Sequence, residues 1–144
     1  MIRRLGPGDE RLLRELCRRF KDRVPTDEEA VAVLAREELP IWVAEVDGEL
    51  AGFAYAHVLL RIDGDTSVFL YELDVDERFR RRGIGRALVE EARELGKRVG
   101  AKEMWVETSY DNEPAQATYA AAGGTRTEEP VLDFEWDFRP QRSD

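Results

Sequence analysis

Residues 72–88 read ELDVDERFRRRGIGRAL, and this stretch decides the fold. It closes a run from Ser67 to Asp76 that reads as a long strand. A short loop rich in arginine and glycine follows. The apolar period then changes from two to 3.6. Ile84, Leu88, Ala92, Leu95 and Val99 fall on one stripe of a helix from about Gly83 to Arg98, and Gly100 closes it. Gly83 and Gly85 allow a close approach of backbone to a ligand. The helix N-terminus offers unpaired N–H groups and partial positive charge, and Arg80, Arg81, Arg82 and Arg86 add formal charge. Phosphate or pyrophosphate is the guest that suits this site. A dinucleotide fingerprint needs glycine or alanine where Leu88 stands, and no Walker loop or H-E-x-x-H occurs.

Upstream, residues 2–5 (IRRL) predict a first strand, ended by Gly6-Pro7-Gly8. Asp9 opens a helix whose apolar face is Leu12, Leu13, Leu16, Cys17 and Phe20. Thr26-x-x-Glu29 is a capping box, and its helix is expected to run to about Glu38, before Pro40. Ile41–Val46 and Glu49–Leu60 predict a hairpin on Asp47-Gly48. Ile62–Thr66 is a polar loop. Downstream, Glu103–Thr108 is a strand, Asn112 caps a fourth helix with Pro114 in its first turn, and Gly123-Gly124 ends it. From Leu132 to Phe138, apolar residues alternate with Asp133, Glu135 and Asp137, which predicts a half-buried strand with an acidic face. The expected fold is α+β, a single mixed sheet of six to seven strands flanked by four helices.

The chain has 144 residues, which fits one domain over 1–140 with a loose tail at 141–144. Its net charge is −9, yet residues 78–86 hold five arginines and no acid, so the remainder sums to −14. That balance argues against nucleic acid and for an anionic ligand at one basic spot. No apolar stretch approaches the roughly 18 residues of a membrane helix, and the N-terminus lacks an apolar secretory core. Cys17 is the only cysteine and His57 the only histidine, so neither a disulfide nor a His/Cys metal site is expected. His57 reads as a strand residue. A cytoplasmic protein is expected.

Two motifs resemble one family. Arg80-Arg81-Arg82-Gly83-Ile84-Gly85 fits the [Q/R]-x-x-G-x-[G/A] signature of the GNAT N-acetyltransferases, and Asn112, Ala115, Tyr119 and Gly123 fit N-x-x-A-x-x-x-Y-x-x-x-G. The order of elements matches that family from end to end. YELDV (71–75), SYDNEPAQATY (109–119) and VLDFEWDF (131–138) are also similar to the aminoglycoside 3-N-acetyltransferases of the type I, gentamicin, group.

The resemblance implies acetyl-CoA as cosubstrate and a primary amine as acceptor. Pyrophosphate would lie on Arg81–Arg86, with Arg80, Gly83, Ile84 and Gly85 in the same site. Pantetheine would run beside Leu73, Asp74 and Val75, and the Val75 N–H would face the thioester oxygen. Asn112, Ala115 and Tyr119 belong to the cofactor side, and Tyr119 resembles the family's general acid. An alkylamine with a pKa of about 10 is almost all ammonium at neutral pH, so a base helps. Glu72 is the first candidate, because it sits in the central strand just before the acetyl site, with Glu107 and Asp111 at the end of the next strand as alternatives; Ser109 stands where that group carries an acid.

Each residue also has a plain reading. Glu72 pairs with an arginine, Tyr119 packs in the core, and the acids at 133, 135 and 137 line a solvated face. Concentration speaks for binding. Glu128, Glu129, Asp133, Glu135 and Asp137 are five acids within ten residues, and Glu107, Asp111 and Glu113 add three more. If the two segments meet, with Ser109 and Tyr110 between them, they form a pocket for a polycation such as an aminoglycoside. Three readings stay open: acetylation of an aminoglycoside; acetylation of a polyamine, a peptide N-terminus or a lysine; and a non-catalytic acyl-CoA-binding module. Trp136 and Phe138 bury against the domain or against a second copy, and a homodimer is expected from the family.

Overall fold

The computed structural model describes residues 1–140. Five strands form one sheet in the order β1-β2-β3-β4-β5: Ile2–Arg4, Ile41–Val46, Glu49–Leu60, Thr66–Val75 and Glu103–Trp105. The first four pair antiparallel, and β5 joins β4 in parallel. Four helices flank the sheet: α1 (Glu10–Phe20), α2 (Asp27–Leu34), α3 (Ile84–Arg98) and α4 (Glu113–Ala121).

Strand alternation builds two cores. On one face Trp42, Ala54, Ala56, Val68 and Leu70 pack against Leu88, Val89, Ala92 and Leu95 of α3, with Tyr119 of α4 beside them. On the other, Val43 and Phe53 meet Leu13 and Leu16 of α1 and Ala30 and Leu34 of α2. Leu88, Ala92 and Leu95 of the stripe read from the sequence are buried in α3 and Ile84 packs against them, but Val99, at the helix C-cap, is exposed and Val89 is buried in addition. The Thr26–Glu29 capping box forms in both directions, at 3.1 and 2.9 Å. Asp9 stands at the α1 N-cap, but its carboxylate accepts from the Gly6 N–H and from Arg3 instead of from the helix.

The structure corrects three boundaries. α2 stops at Leu34, not Glu38, because the Arg36 and Leu39 N–H groups donate three residues back and tighten the chain before Pro40. β5 ends at Trp105, not Thr108. Leu132–Phe138 forms no strand, so the sheet has five strands instead of six to seven. Alternation records an amphipathic segment, but a strand also needs a neighbour's hydrogen bonds, and among the described residues none pairs with this one. The expected tail, 141–144, lies outside the described residues.

A bulge in β4 sets up everything that follows. Tyr55 pairs with Glu72 and Ala56 with Leu70, which leaves Tyr71 without a partner. Leu70, Leu73 and Val75 face the α3 core. Tyr71 and Glu72 are both turned to the α1 side, where Tyr71 meets Tyr55 and His57 and Glu72 meets Lys21. Beyond the bulge β4 loses its second neighbour, because β5 pairs only with Ser67, Val68 and Phe69. The stretch from Tyr71 to Val75 is an open strand edge inside the sheet. Among the described residues no helix is long and apolar enough to cross a membrane.

Candidate active site

The open edge of β4 runs directly into the basic loop. The Asp76 N–H donates to the Ala51 carbonyl of β3 at 2.7 Å, so the Val75 N–H and C=O one residue earlier point to the opposite, open side. Both are held by side chains. The Val75 N–H donates to Asp74 Oδ1 at 2.9 Å, and Arg80 Nε donates to the Val75 carbonyl at 3.0 Å. Arg80 and the Asp74 carboxylate are 3.7 Å apart.

Asp76 anchors the loop. It caps a single 3₁₀ turn, Glu77–Phe79, by accepting from the Arg78 N–H, and it also accepts from Arg19 of α1 at 2.9 Å. The hydrogen bonds from the Arg78 N–H and from Arg19 depress its pKa to about 2. Arg78 reaches Glu49 as well, at 3.1 Å. Phe79 is buried under the loop, with the Arg82 guanidinium over its ring at 5.4 Å. Arg81 and Gly83 both take positive φ, 64° and 78°, which turns the chain into α3.

No side chain caps α3, so its first-turn N–H groups open toward the loop. Arg81, Arg82 and Arg86 form no ion pair among the described residues, whereas Arg78 and Arg80 are already engaged. Uncapped N–H groups, free guanidinium groups and an unpaired strand edge form a donor set that fits a pyrophosphate joined to an amide-bearing arm. Gly85 has a role the sequence reading did not give it. A Cβ there would lie 3.2 Å from Thr118 Cγ2, so this glycine lets α3 pack against α4.

On the α1 side of the edge, both Glu72 oxygens accept from Lys21 Nζ, at 2.7 and 2.8 Å. The partner is a lysine just after α1, not the arginine of the plain sequence reading. Tyr55 lies beside Glu72, and burial, then that carboxylate, push its phenol above the usual tyrosine range. His57 sits edge-on between Tyr55 and Tyr71 as a strand residue. Tyr119 packs half-buried at the edge of the α3 core, and burial raises its phenol pKa.

The remaining predicted residues separate into two groups. Asn112 Oδ1 accepts from the Ala115 N–H at 3.2 Å, so both serve the start of α4. Glu107, Ser109, Tyr110 and Asp111 lie in an exposed loop after β5. Gln116 holds that loop by donating to the Ser109 and Tyr110 carbonyls, and it accepts from Arg126. Arg126 links the two acidic segments, pairing with Glu128 at 2.7 Å while its guanidinium lies over the Tyr110 ring. Asp133 and Glu135 lie in exposed coil. No hydrogen bond or ion pair among the described residues joins them to that loop. Lys21, Tyr55 and Gln116 escaped the sequence reading. Their partners are 51, 17 and 6–7 residues away, and no local motif marks them.

Comparison with known proteins agrees with this geometry. Residues 10–123 match the acetyltransferase (GNAT) family. A relative from Salmonella typhimurium, an aminoglycoside N(6′)-acetyltransferase type 1, is 30% identical over 69% of this chain and 72% of its own length. An aminoglycoside acetyltransferase from an uncultured soil sample shares the fold, with TM-score 0.81 over 96% of each chain at 23% identity. AAC(6′)-Iy, solved with a bisubstrate analogue of CoA and acetylneamine, aligns with TM-score 0.78 over 94% of this chain and 97% of its own, at 26% identity. The chain belongs to the acetyltransferase (GNAT) family.

Proposed function

We propose that this chain transfers the acetyl group of acetyl-CoA to a primary amine of an aminoglycoside. The observation that carries the reading is the unpaired edge of β4 running into an uncapped, arginine-rich start of α3. Acetyl-CoA supplies an activated acetyl thioester, and every other requirement falls on the chain. Arg81, Arg82, Gly83, Ile84, Gly85 and Arg86 hold the pyrophosphate, with Arg80 at the rim. Leu73, Asp74 and Val75 offer the strand edge, and the Val75 N–H stabilises charge on the carbonyl oxygen. Tyr119, kept protonated by burial, donates to the departing thiolate. Glu72, held in place by Lys21, is the first candidate to take the proton from the amine, with Glu107 and Asp111 as alternatives.

The relatives support the aminoglycoside as acceptor. The Salmonella relative and AAC(6′)-Iy are named for the 6′ nitrogen, so the 3-amine implied by the sequence resemblance finds no support among them. The working unit in this reading is a homodimer, supported by the exposed apolar residues of the C-terminal segment.

The test is acetyl-CoA-dependent thiol release with gentamicin, spermidine and a lysine peptide in parallel. Turnover of gentamicin, with the acetylated nitrogen assigned on the product, supports the reading and fixes the position. Turnover of only spermidine or the peptide removes the aminoglycoside. Binding of acetyl-CoA with no acceptor turned over favours a non-catalytic acyl-CoA-binding module.

A further inference from the structure

We propose that Asp74 and Arg80 form a latch over the Val75 peptide that competes with the acyl donor for the same backbone groups and so sets the chain's affinity for acetyl-CoA. The inference rests on the acetyl-CoA reading above. It starts from an accounting of hydrogen bonds. A strand edge inside a sheet exposes N–H and C=O groups that must find partners. At Val75 both groups face the open side, and both are taken by side chains, at 2.9 and 3.0 Å. The two side chains also face each other at 3.7 Å. Each is about half exposed, 50% for Asp74 and 54% for Arg80, so each is free to swing away without disturbing the core.

An acyl donor laid along this edge needs the Val75 N–H for its thioester oxygen and the Val75 carbonyl for an amide N–H of its arm. It displaces Asp74 from the first and Arg80 from the second. The released Arg80 then turns its charge to the anion at the start of α3, which offsets the hydrogen bond it gives up. Asp74 has no such return. Its carboxylate gives up a backbone donor and returns to solvent. Asp74 therefore weakens donor binding, while protecting the edge of the free protein from another chain.

Two variants separate the latch from simple charge. Asp74→Ala removes the acceptor, whereas Asp74→Asn removes the charge and keeps an acceptor oxygen. In the ligand-free protein, the Val75 amide exchanges slowly with solvent in the parent and in Asp74→Asn, and roughly fivefold faster in Asp74→Ala. Calorimetry then gives a Kd for acetyl-CoA about fivefold lower in Asp74→Ala and within about twofold of the parent in Asp74→Asn. Adenosine 3′-phosphate 5′-diphosphate, which lacks the pantetheine arm, binds all three proteins alike. Equal tightening in both variants, extending to the truncated nucleotide, overturns the latch in favour of charge repulsion. Unchanged Val75 exchange in Asp74→Ala overturns it outright. A parent protein that protects the Val75 amide but does not bind acetyl-CoA removes the proposed function, and with it the role of the latch in affinity.

Discussion

At the scale of single residues, the proposed mechanism separates groups that hold the backbone from groups that would transfer a proton. Tyr119 belongs to the second kind. Its burial disfavours the phenolate, so the proton stays in place across the neutral range. Tyr119→Phe is expected to lower kcat by about a hundredfold, the scale of a lost general acid, and to leave the acetyl-CoA KM nearly unchanged. The parent's pH–rate profile keeps its activity to above the ordinary tyrosine range before an alkaline fall, and the variant loses that fall. An unchanged kcat assigns Tyr119 to packing alone. Glu72 is tested through its partner. Glu72→Gln abolishes most gentamicin turnover if Glu72 is the base, whereas Lys21→Ala keeps the carboxylate and loses only its positioning. Lys21→Ala is therefore expected to retain more kcat/KM than Glu72→Gln, and equal losses would make the pair purely structural.

At the scale of elements, the junctions carry the design. Gly85 fits α3 against α4. Gly85→Ala gains helix propensity of roughly 0.5–1 kcal/mol but meets Thr118 Cγ2 at 3.2 Å, and overpacking costs about 1–3 kcal/mol. In a Thr118→Ser background the methyl is gone, and the hydroxyl still donates to the Pro114 carbonyl. There the same substitution becomes stabilising, and denaturant titration of the four proteins reads the coupling. Asp76 ties the end of β4 to α1. Its folded pKa is about 2, below the ordinary aspartate value of about 3.9, so its contribution to stability is present above about pH 4. It is lost as pH falls through 4 toward 2. Asp76→Asn is expected to flatten the stability curve in that window and to loosen Arg19 from the loop.

The same elements show how much was legible. The capping box at Thr26 and the stripe of α3 were readable because each is a rule over three to seven neighbouring residues. The arginine-rich turn into an uncapped helix, Arg81 to Arg86, is readable for the same reason. The bulge at Tyr71 was not, because a register shift is a property of two strands, and nothing in YELDV alone says which residue lacks a partner. Lys21 and Glu72 meet across 51 residues, and only the packing of α1 brings them together. Gly85 reads as room for a ligand because no local pattern marks Thr118 across the helix pair.

At the scale of the whole molecule, the unresolved problem is apolar surface. Val131, Leu132, Phe134, Trp136 and Phe138 are all exposed, with Trp136 at 75% and Phe138 at 92%. Exposed apolar residues at this density mark a surface that gains by being covered. Covering Trp136 and Phe138 alone contributes roughly 3–6 kcal/mol, the scale on which a dimer interface is stabilised. In the proposed dimer a second copy would bring the same alternating segment, so that the apolar faces meet while Asp133, Glu135 and Asp137 stay outward. Opposing the contact, each copy carries a net charge of −9. These two terms respond differently to salt. Repulsion between the acidic copies is screened, with a Debye length of about 3 Å at 1 M, whereas the apolar contact is not. Sedimentation velocity is therefore expected to show a dimer that tightens as salt rises, and Trp136→Ser with Phe138→Ser together to give a monomer at every salt concentration. A parent chain that sediments as a monomer throughout removes the second copy as the cover for this segment.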